Sequence, residues 1–296
     1  MQTKKIQADL LLLLVAIIWG LAFVAQRLGL ELLGPFSFNA LRFLLGALSL
    51  LPLLMFFKAP SDHSNRRLLI SGLAAGGVLF LGASFQQAGL AYTTAGNAGF
   101  ITGLYIIFVP LLGLWIGQST TINTWLGGGI AVIGLYLLSF HQLTAINRGD
   151  ILEICGAVCW AIHVLLIAKL APKVDNLRLA ILQFLVCAAL SGFTALILES
   201  EQFTLNNAIN SWLPIAYAGF ISVGIAYTLQ IVAQKNAPPA HAAVIMSLEA
   251  VVAALGGWFL LDESFSLLGI LGCSLMLIGM LFSQLPLIYK RDKSYA

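Results

Sequence analysis

Ala237-Pro-Pro-Ala-His-Ala-Ala-Val-Ile-Met-Ser-Leu-Glu-Ala-Val-Val-Ala-Ala-Leu-Gly-Gly-Trp258 is an apolar stretch long enough to cross a bilayer as a helix, and it carries Glu249 near its middle. A charged side chain at that depth is disfavoured by roughly 2.5–3.5 kcal/mol on insertion scales, so it faces a cavity or a partner and not lipid. The stretch has an earlier counterpart. Gln230, Gly256 and Trp258 repeat Gln87, Gly113 and Trp115 at an offset of about 143 residues, so 94–115 reads as the same element in a first copy.

The rest of the chain agrees with a membrane setting. Hydrophobic residues make up 60% of it and charged residues 9%, with a mean hydropathy of +0.96. A soluble surface needs about a quarter of its residues charged, which this chain does not have. Its 28 glycines suit close helix approach, with Gly72 and Gly76, Gly99 and Gly103, and Gly113 and Gly117 as candidate contact pairs. The four cysteines, Cys155, Cys159, Cys187 and Cys273, all lie in apolar runs, where a thiol acts as a small hydrophobe. Cys155 and Cys159 are one turn apart, but no His or carboxylate at ligand spacing accompanies them, so no metal or other cofactor is expected.

Ten apolar spans are expected, at 9–27, 35–57, 67–90, 94–116, 121–140, 150–171, 176–198, 211–234, 239–261 and 265–288. Lys4 and Lys5 precede the first, which runs too long and lacks the small-residue pattern of a cleaved leader. With the N-terminus inside, the inner ends collect Lys4, Lys5, Lys58, Arg66, Arg67, Lys169, Lys173, Arg178, Lys235, Lys290, Arg291 and Lys293. The outer ends collect only Arg27 and Arg148. This bias gives cytoplasmic N- and C-termini. Trp19 maps to Trp160, Gln87 to Gln230, and Gly127 and Gly134 to Gly272 and Gly279, at offsets of about 141–145 residues. The chain therefore divides into 1–146 and 147–296. Five spans per copy is odd, so the second copy enters the membrane inverted, with a substrate site expected near midplane between the halves.

Ile-Ile-Trp-Gly (Ile17 to Gly20), Leu-Arg-Phe-Leu-Leu (Leu41 to Leu45), Ser-Leu-Glu (Ser247 to Glu249) and Leu-Asp-Glu (Leu261 to Glu263) resemble the EamA-like family of the drug/metabolite transporter superfamily. The resemblance covers essentially the whole chain. It implies an all-α integral membrane protein of ten helices in two inverted five-helix repeats, and cytoplasmic termini. It further implies a central cavity lined by the first four helices of each copy, fifth helices at the periphery, and small-molecule transport, often metabolite or amino-acid efflux at a bacterial inner membrane. Two positions depart from the family pattern: Ala250 stands where Pro often follows the Glu, and Gly117 and Gln118 stand where the first copy often ends in an acid.

Within this frame Glu249 lies about 15 Å from the inner face at ~1.5 Å per residue. It would bind a cationic or amino group, or exchange it for a proton; the other reading is a carboxyl that only stabilises the bundle. Arg42 either snorkels to the interface or stands as a fixed cation in an outer vestibule, facing a substrate carboxylate. His163 is a pore-facing pH sensor or a hydrogen-bonded packing residue. His241 is expected to meet interfacial water. Trp19, Gln86, Gln87, Asn97, Thr102, Tyr105, Trp160, Tyr227 and Gln230 are further cavity candidates, the aromatics having core packing as their other reading. Pro110 frees the Ile106 carbonyl and marks a bend in the fourth span that need not be symmetric, since its repeat counterpart is Ala253.

These residues point to a secondary transporter for a small amino-acid-like or amphipathic metabolite, working by alternating access across the lipid bilayer, with efflux and proton coupling as the expected mode. An uncoupled facilitator fits as well. A membrane-embedded enzyme does not, because no paired acids, Ser-His set or zinc motif lies within a span. No Gly-Lys dipeptide occurs, which excludes a Walker A loop. No nucleic-acid partner is expected. Gly127, Gly128, Gly129 and Gly134 give the fifth span a face for a homodimer or for packing within one chain.

Overall fold

The computed structural model describes residues 2–56, 64–139, 147–201, 203–264 and 266–284, and all of its regular elements are helical. In order they are α1 (Gln2–Gly29), α2 (Pro35–Leu50), α3 (Leu53–Phe56), α4 (Asn65–Leu90), α5 (Ala95–Gly103), α6 (Tyr105–Trp115) and α7 (Ile122–Ser139) in the N-terminal half. The C-terminal half has α8 (Arg148–Leu170), α9 (Asn176–Leu198), α10 (Leu205–Asn210), α11 (Trp212–Ala216), a π-helical segment (Tyr217–Tyr227), α12 (Thr228–Ala233), α13 (Pro239–Met246), α14 (Glu249–Leu261) and α15 (Leu267–Gln284). Among the described residues eight helical stretches are long and apolar enough to cross a membrane: Lys4–Gly29, Pro35–Phe56, Asn65–Leu90, Ala95–Trp115, Arg148–Leu170, Asn176–Leu198, Trp212–Ala233 and Pro239–Leu261. At the fifth and tenth expected spans the apolar helices are shorter, Ile122–Leu137 and Leu267–Ser283. The far ends of the spans expected at 35–57, 121–140 and 265–288 lie outside the described residues, as do Lys58, Lys290, Arg291 and Lys293.

Helix starts follow local chemistry. Asn147 and Asp150 form a reciprocal capping box on α8, and Asp175 accepts from Arg178 N at the start of α9. Two other starts are capped from the opposite half. Glu199 accepts from Phe36 N (2.9 Å) and Ser37 N (2.7 Å) of α2, and Glu263 from Ala95 N (2.8 Å) and Gly96 N (3.0 Å) of α5. A carboxylate there meets both the free N–H groups and the positive end of the helix dipole. Asp262, in the left-handed region at φ 53, ends α14 immediately before Glu263. At the other end of the bundle α13 begins Pro238-Pro239, so the first N–H that Ala95 offers in α5 has no counterpart in α13, where Gln118 stands in place of an acid. Gly117, at φ 76, is the left-handed residue that closes α6, with Gly117 N bonded to Leu114 O and Gln118 N to Gly113 O. It is a helix terminator, not half of a packing pair with Gly113.

The halves interlock. α1 packs on α14, α13 and the π-helical segment, α2 on α9 and the same segment, α4 on α8 and α9, and α5 on α14. Glycines sit at these crossings: Gly20 against Val252 and the Glu249 carbonyl, Gly72 and Gly76 against Leu182 and Val186, Gly82 against Trp160. α7 and α15 run together, with Gly127 on the Gly279 carbonyl and Gly134 on the Gly272 carbonyl. Those four glycines pack within one chain, while Gly129 faces open space.

The fourth membrane stretch of each half is interrupted. α5 gives way to α6 at Leu104, and α13 to α14 at Ser247 and Leu248, with i→i+3 bonds such as Leu104 N to Ile101 O and Leu248 N to Ile245 O tightening the chain at both places. The sequence marks a bend at Pro110 and leaves its symmetry open. The structure places Pro110 inside α6 and puts the interruptions at Leu104 and Ser247, positions related by the repeat offset.

A branched side chain at Gly127 must displace backbone, whereas one at Gly129 meets nothing. Gly127→Val is expected to lower stability by about 1–3 kcal/mol and Gly129→Val to leave it unchanged, read as melting temperature in detergent.

Candidate functional site

Spacing on single helices brings the site together. On α1, Trp19, Ala22, Phe23 and Gln26 fall at i, i+3, i+4 and i+7 and share one face. On α8, Trp160, His163 and Val164 do the same. The π-helical segment widens the turn, so Ser222 and Tyr227, five residues apart, face the same way, and Gln230 follows on α12. Arg42 comes from α2, Gln86 from α4, Tyr105 from the start of α6, Met246 from the end of α13, and Glu249 from the start of α14. These residues line one cavity between the halves, with a volume of about 30 Å³. That is room for one or two water molecules, so the site is contracted.

Its wall is aromatic and fixed. Tyr227 stacks on Trp19 at 4.6 Å and lies 6.1 Å from Trp160, 6.1 Å from His163 and 6.0 Å from Phe184. Trp160 Nε1 donates to Gln86 Oε1 (2.8 Å), and Gln86 Nε2 donates to Gln26 Oε1 (3.1 Å). The amide of Gln86 is thus held at both ends, across both halves. Trp19 Nε1 donates to the Ser222 carbonyl at 3.3 Å, in the π-helical segment. His163 Nε2 is bonded to Gln183 Oε1 at 3.1 Å while its ring borders the cavity, so it is a hydrogen-bonded residue of the cavity wall.

Two charged side chains complete the lining. Arg42 is 2% exposed and does not reach an interface. Its Nε donates to Asn39 Oδ1 (2.9 Å), Asn39 in turn donates to the Ala83 carbonyl, and the guanidinium lies 4.8 Å from the centre of the Phe43 ring. The short, rigid side chains of Asn39 and Phe43 hold it inward, which is why it does not snorkel. Glu249 is 3% exposed, immediately after the interruption in its helix, and faces Tyr105. Arg42 Nη2, Gln230 Oε1 and Glu249 Oε1 are buried without a hydrogen-bond partner, and Arg42 and Glu249 form no ion pair among the described residues. Tyr105 OH is open as well; buried polar atoms are ordinarily satisfied, so four open ones around a single cavity mark where a ligand could bond.

Gln87 and Asn97 stand apart from this lining. Gln87 Nε2 donates to the Gln26 carbonyl, within the N-terminal half. Asn97 Nδ2 donates to Thr93 Oγ1 (2.7 Å) and Asp150 Oδ1 (2.9 Å) near the start of α8. At the opposite end His241 is 4% exposed and bonded to Asp9 Oδ1 at 2.9 Å, so it contacts a carboxylate where the sequence suggests interfacial water. Asp9 and Asp150 are repeat equivalents, and each joins the first helix of one half to the fourth stretch of the other. Near the Asp9 end a wider depression of about 570 Å³ opens among Ile116, Gln118, Lys169, Gln234, Lys235 and Pro239. Gln234 closes its inward side by donating to the Val164 carbonyl.

Gln26, Ser222 and Met246 are lining residues the sequence reading lacks. Gln26 is reachable from Trp19 by helical spacing; Ser222 is not, because only a π-helical turn aligns it with Tyr227. Among the described residues no group of three or more His, Cys, Asp or Glu could hold a metal ion.

Residues 6–140 and 147–284 each match the profile of the EamA-like transporter family. The chain is 32% identical over 288 residues to an uncharacterized transporter of Archaeoglobus fulgidus, covering 95% of this chain and 87% of that one. It is 26% identical over 255 residues to the uncharacterized inner membrane transporter YedA of Escherichia coli K12, covering 84% and 81%. A solved crystal structure 18% identical in sequence superposes with a TM-score of 0.75 over 94% of this chain and 96% of its own, which shows a shared fold.

Replacing Gln86 with Met keeps its shape and strands Trp160 Nε1 and Gln26 Oε1. Each stranded group costs about 1–3 kcal/mol, so Gln86→Met is expected to lower the melting temperature and alter tryptophan emission more than Gln87→Met, which removes one bond.

Proposed function

Because the chain belongs to the EamA-like transporter family, we propose that it is a secondary transporter that moves a small zwitterionic, amino-acid-like metabolite through the central cavity by alternating access. The observation that carries the substrate class is the pair of unmatched charges. A guanidinium and a carboxylate border the same cavity, unpaired with each other, each with an open hydrogen-bonding atom. A carboxylate of the ligand would meet Arg42 Nη2, its ammonium Glu249 and Gln230, and its apolar part the faces of Trp19, Trp160 and Tyr227. Leaving either charge without a partner in a dry site is costly, so a ligand that supplies both signs gains over one that supplies one.

The architecture proposed with it is ten membrane helices in two inverted five-helix repeats, residues 1–146 and 147–296, with both termini cytoplasmic in the bacterial inner membrane. The helix interruptions at related positions and the antiparallel glycine contacts of α7 and α15 support it. In that orientation the depression of about 570 Å³ faces the cytoplasm with Lys169 and Lys235 at its edge, while Glu199 and Glu263 tie helices across the halves on the outer side. Loading from inside is the geometry of an exporter. Proton exchange at a buried carboxyl would couple export to the pH gradient; an uncoupled facilitator would use the same cavity without it.

Purified protein in detergent is to be melted against zwitterionic amino acids and against analogues lacking the carboxylate or the amine. A ligand at about a hundred times its Kd stabilises the folded state by about 2.7 kcal/mol. Zwitterions are expected to raise the melting temperature, the single-charge analogues less, and Glu249→Gln and Arg42→Lys to abolish the shift. Equal shifts from the analogues, or full shifts in both variants, would sink the assignment.

A further inference from the structure

Glu153 is a second carboxyl buried in the bundle, and the central cavity does not include it. It sits six residues past the Asn147 cap of α8, is 0% exposed, and lies in the seam where α4, α5 and α8 meet. Its Oε2 accepts from Thr102 Oγ1 at 3.2 Å; its Oε1 has no partner. Its stem and Oε1 occupy the space that a side chain at Gly89 would fill, so that glycine makes room for the acid. The groups around it are Thr102 and Asn97 from α5, Gly89 and then Tyr92 from the end of α4, and Asp150 one turn back on its own helix. None is a cation. Of the two guanidiniums at this end, Arg27 donates to the Leu90 carbonyl at 3.2 Å and Arg148 is exposed at the first position of α8.

A carboxylate enclosed with one hydroxyl donor and no countercharge needs a small cation to neutralise it. A metal cation needs about six oxygen ligands in such a site, and one carboxyl with one hydroxyl supplies too few. A proton needs one oxygen. Thr102 also stands one turn before Tyr105, which faces Glu249, so the two buried acids flank the interruption at Leu104 from opposite sides.

We infer that Glu153 is the site of the coupling proton, separate from the substrate cavity: the proton binds Oε1 from one side of the membrane and leaves to the other as the α5–α8 seam opens. Only an O–H bond forms and breaks. The use of this proton rests on the transport reading; its detection does not.

Infrared difference spectra of the protein in lipid nanodiscs, stepped between acid and alkaline pH, read the carboxylic-acid carbonyl stretch without any substrate. A titrating band is expected that Glu249→Gln retains, Glu153→Gln loses and Thr102→Val shifts in frequency. Identical spectra for wild type and Glu153→Gln, or a Glu153 band present at every pH, overturn the proposal. Thr102→Val keeps the test open should Glu153→Gln fail to fold. In proteoliposomes, one proton against a one-unit pH gradient accumulates substrate about tenfold; Glu153→Gln is expected to reduce this to no accumulation while counterflow exchange persists. Full accumulation in that variant overturns the proposal. A titrating Glu153 band in a protein that moves no substrate supports the proton site and removes the transport reading alone.

Discussion

Lipid offers no hydrogen bonds, and that constraint organises the molecule. A polar group at membrane depth is costly without a partner in the protein, and several contacts between the halves are such partnerships. Glu199 and Glu263 satisfy the first N–H groups of α2 and α5 from the other half. Gln86 holds Trp160 on one side and Gln26 on the other. α13 starts on two prolines, which removes the first N–H groups that a cap would have to meet there. Since hydrophobic burial does not drive helices together in lipid, close packing has to, and the glycines at Gly20, Gly72, Gly76 and Gly127 supply it.

Against that background the exceptions carry the functional information. Arg42, Gln230 and Glu249 leave polar atoms open around one small cavity, and Glu153 leaves another open in a seam nearby. The cavity is too small for a metabolite as it stands. To pass the proposed substrate it would have to enlarge, and the structure has irregular places where helices could give: the tightened turns at Leu104 and Ser247, the π-helical segment at Tyr217–Tyr227, and single side-chain bonds such as His241 to Asp9 at one end and Asn97 to Asp150 at the other. The two ends are unequal, with four carboxylate links on the side of Asp150, from Glu199, Glu263, Asp150 and Glu153, and a single one near Asp9.

Much of this was legible in the chain. Composition and span length require a membrane protein; the offset pairs Trp19 with Trp160 and Gly127 with Gly272; Glu249 and Arg42 stand out because charge is so rare in apolar runs. Other features left no mark. Ser222 lines the cavity only because its helix is π-wound, and Arg42 stays buried only because Asn39 and Phe43 hold it. Glu153 reads as one more acid near a helix start until α4 and α5 are seen to close over it.

The sequence by itself determined the solvent, the helices and the repeat, because each follows from local hydropathy and from spacing along one chain. Tertiary structure decided which polar atoms are satisfied and which are left open, since that depends on side chains brought together from distant helices. The partner of Asp9 is 232 residues away and that of Glu263 is 168. No periodicity within a single helix encodes such a meeting; packing does.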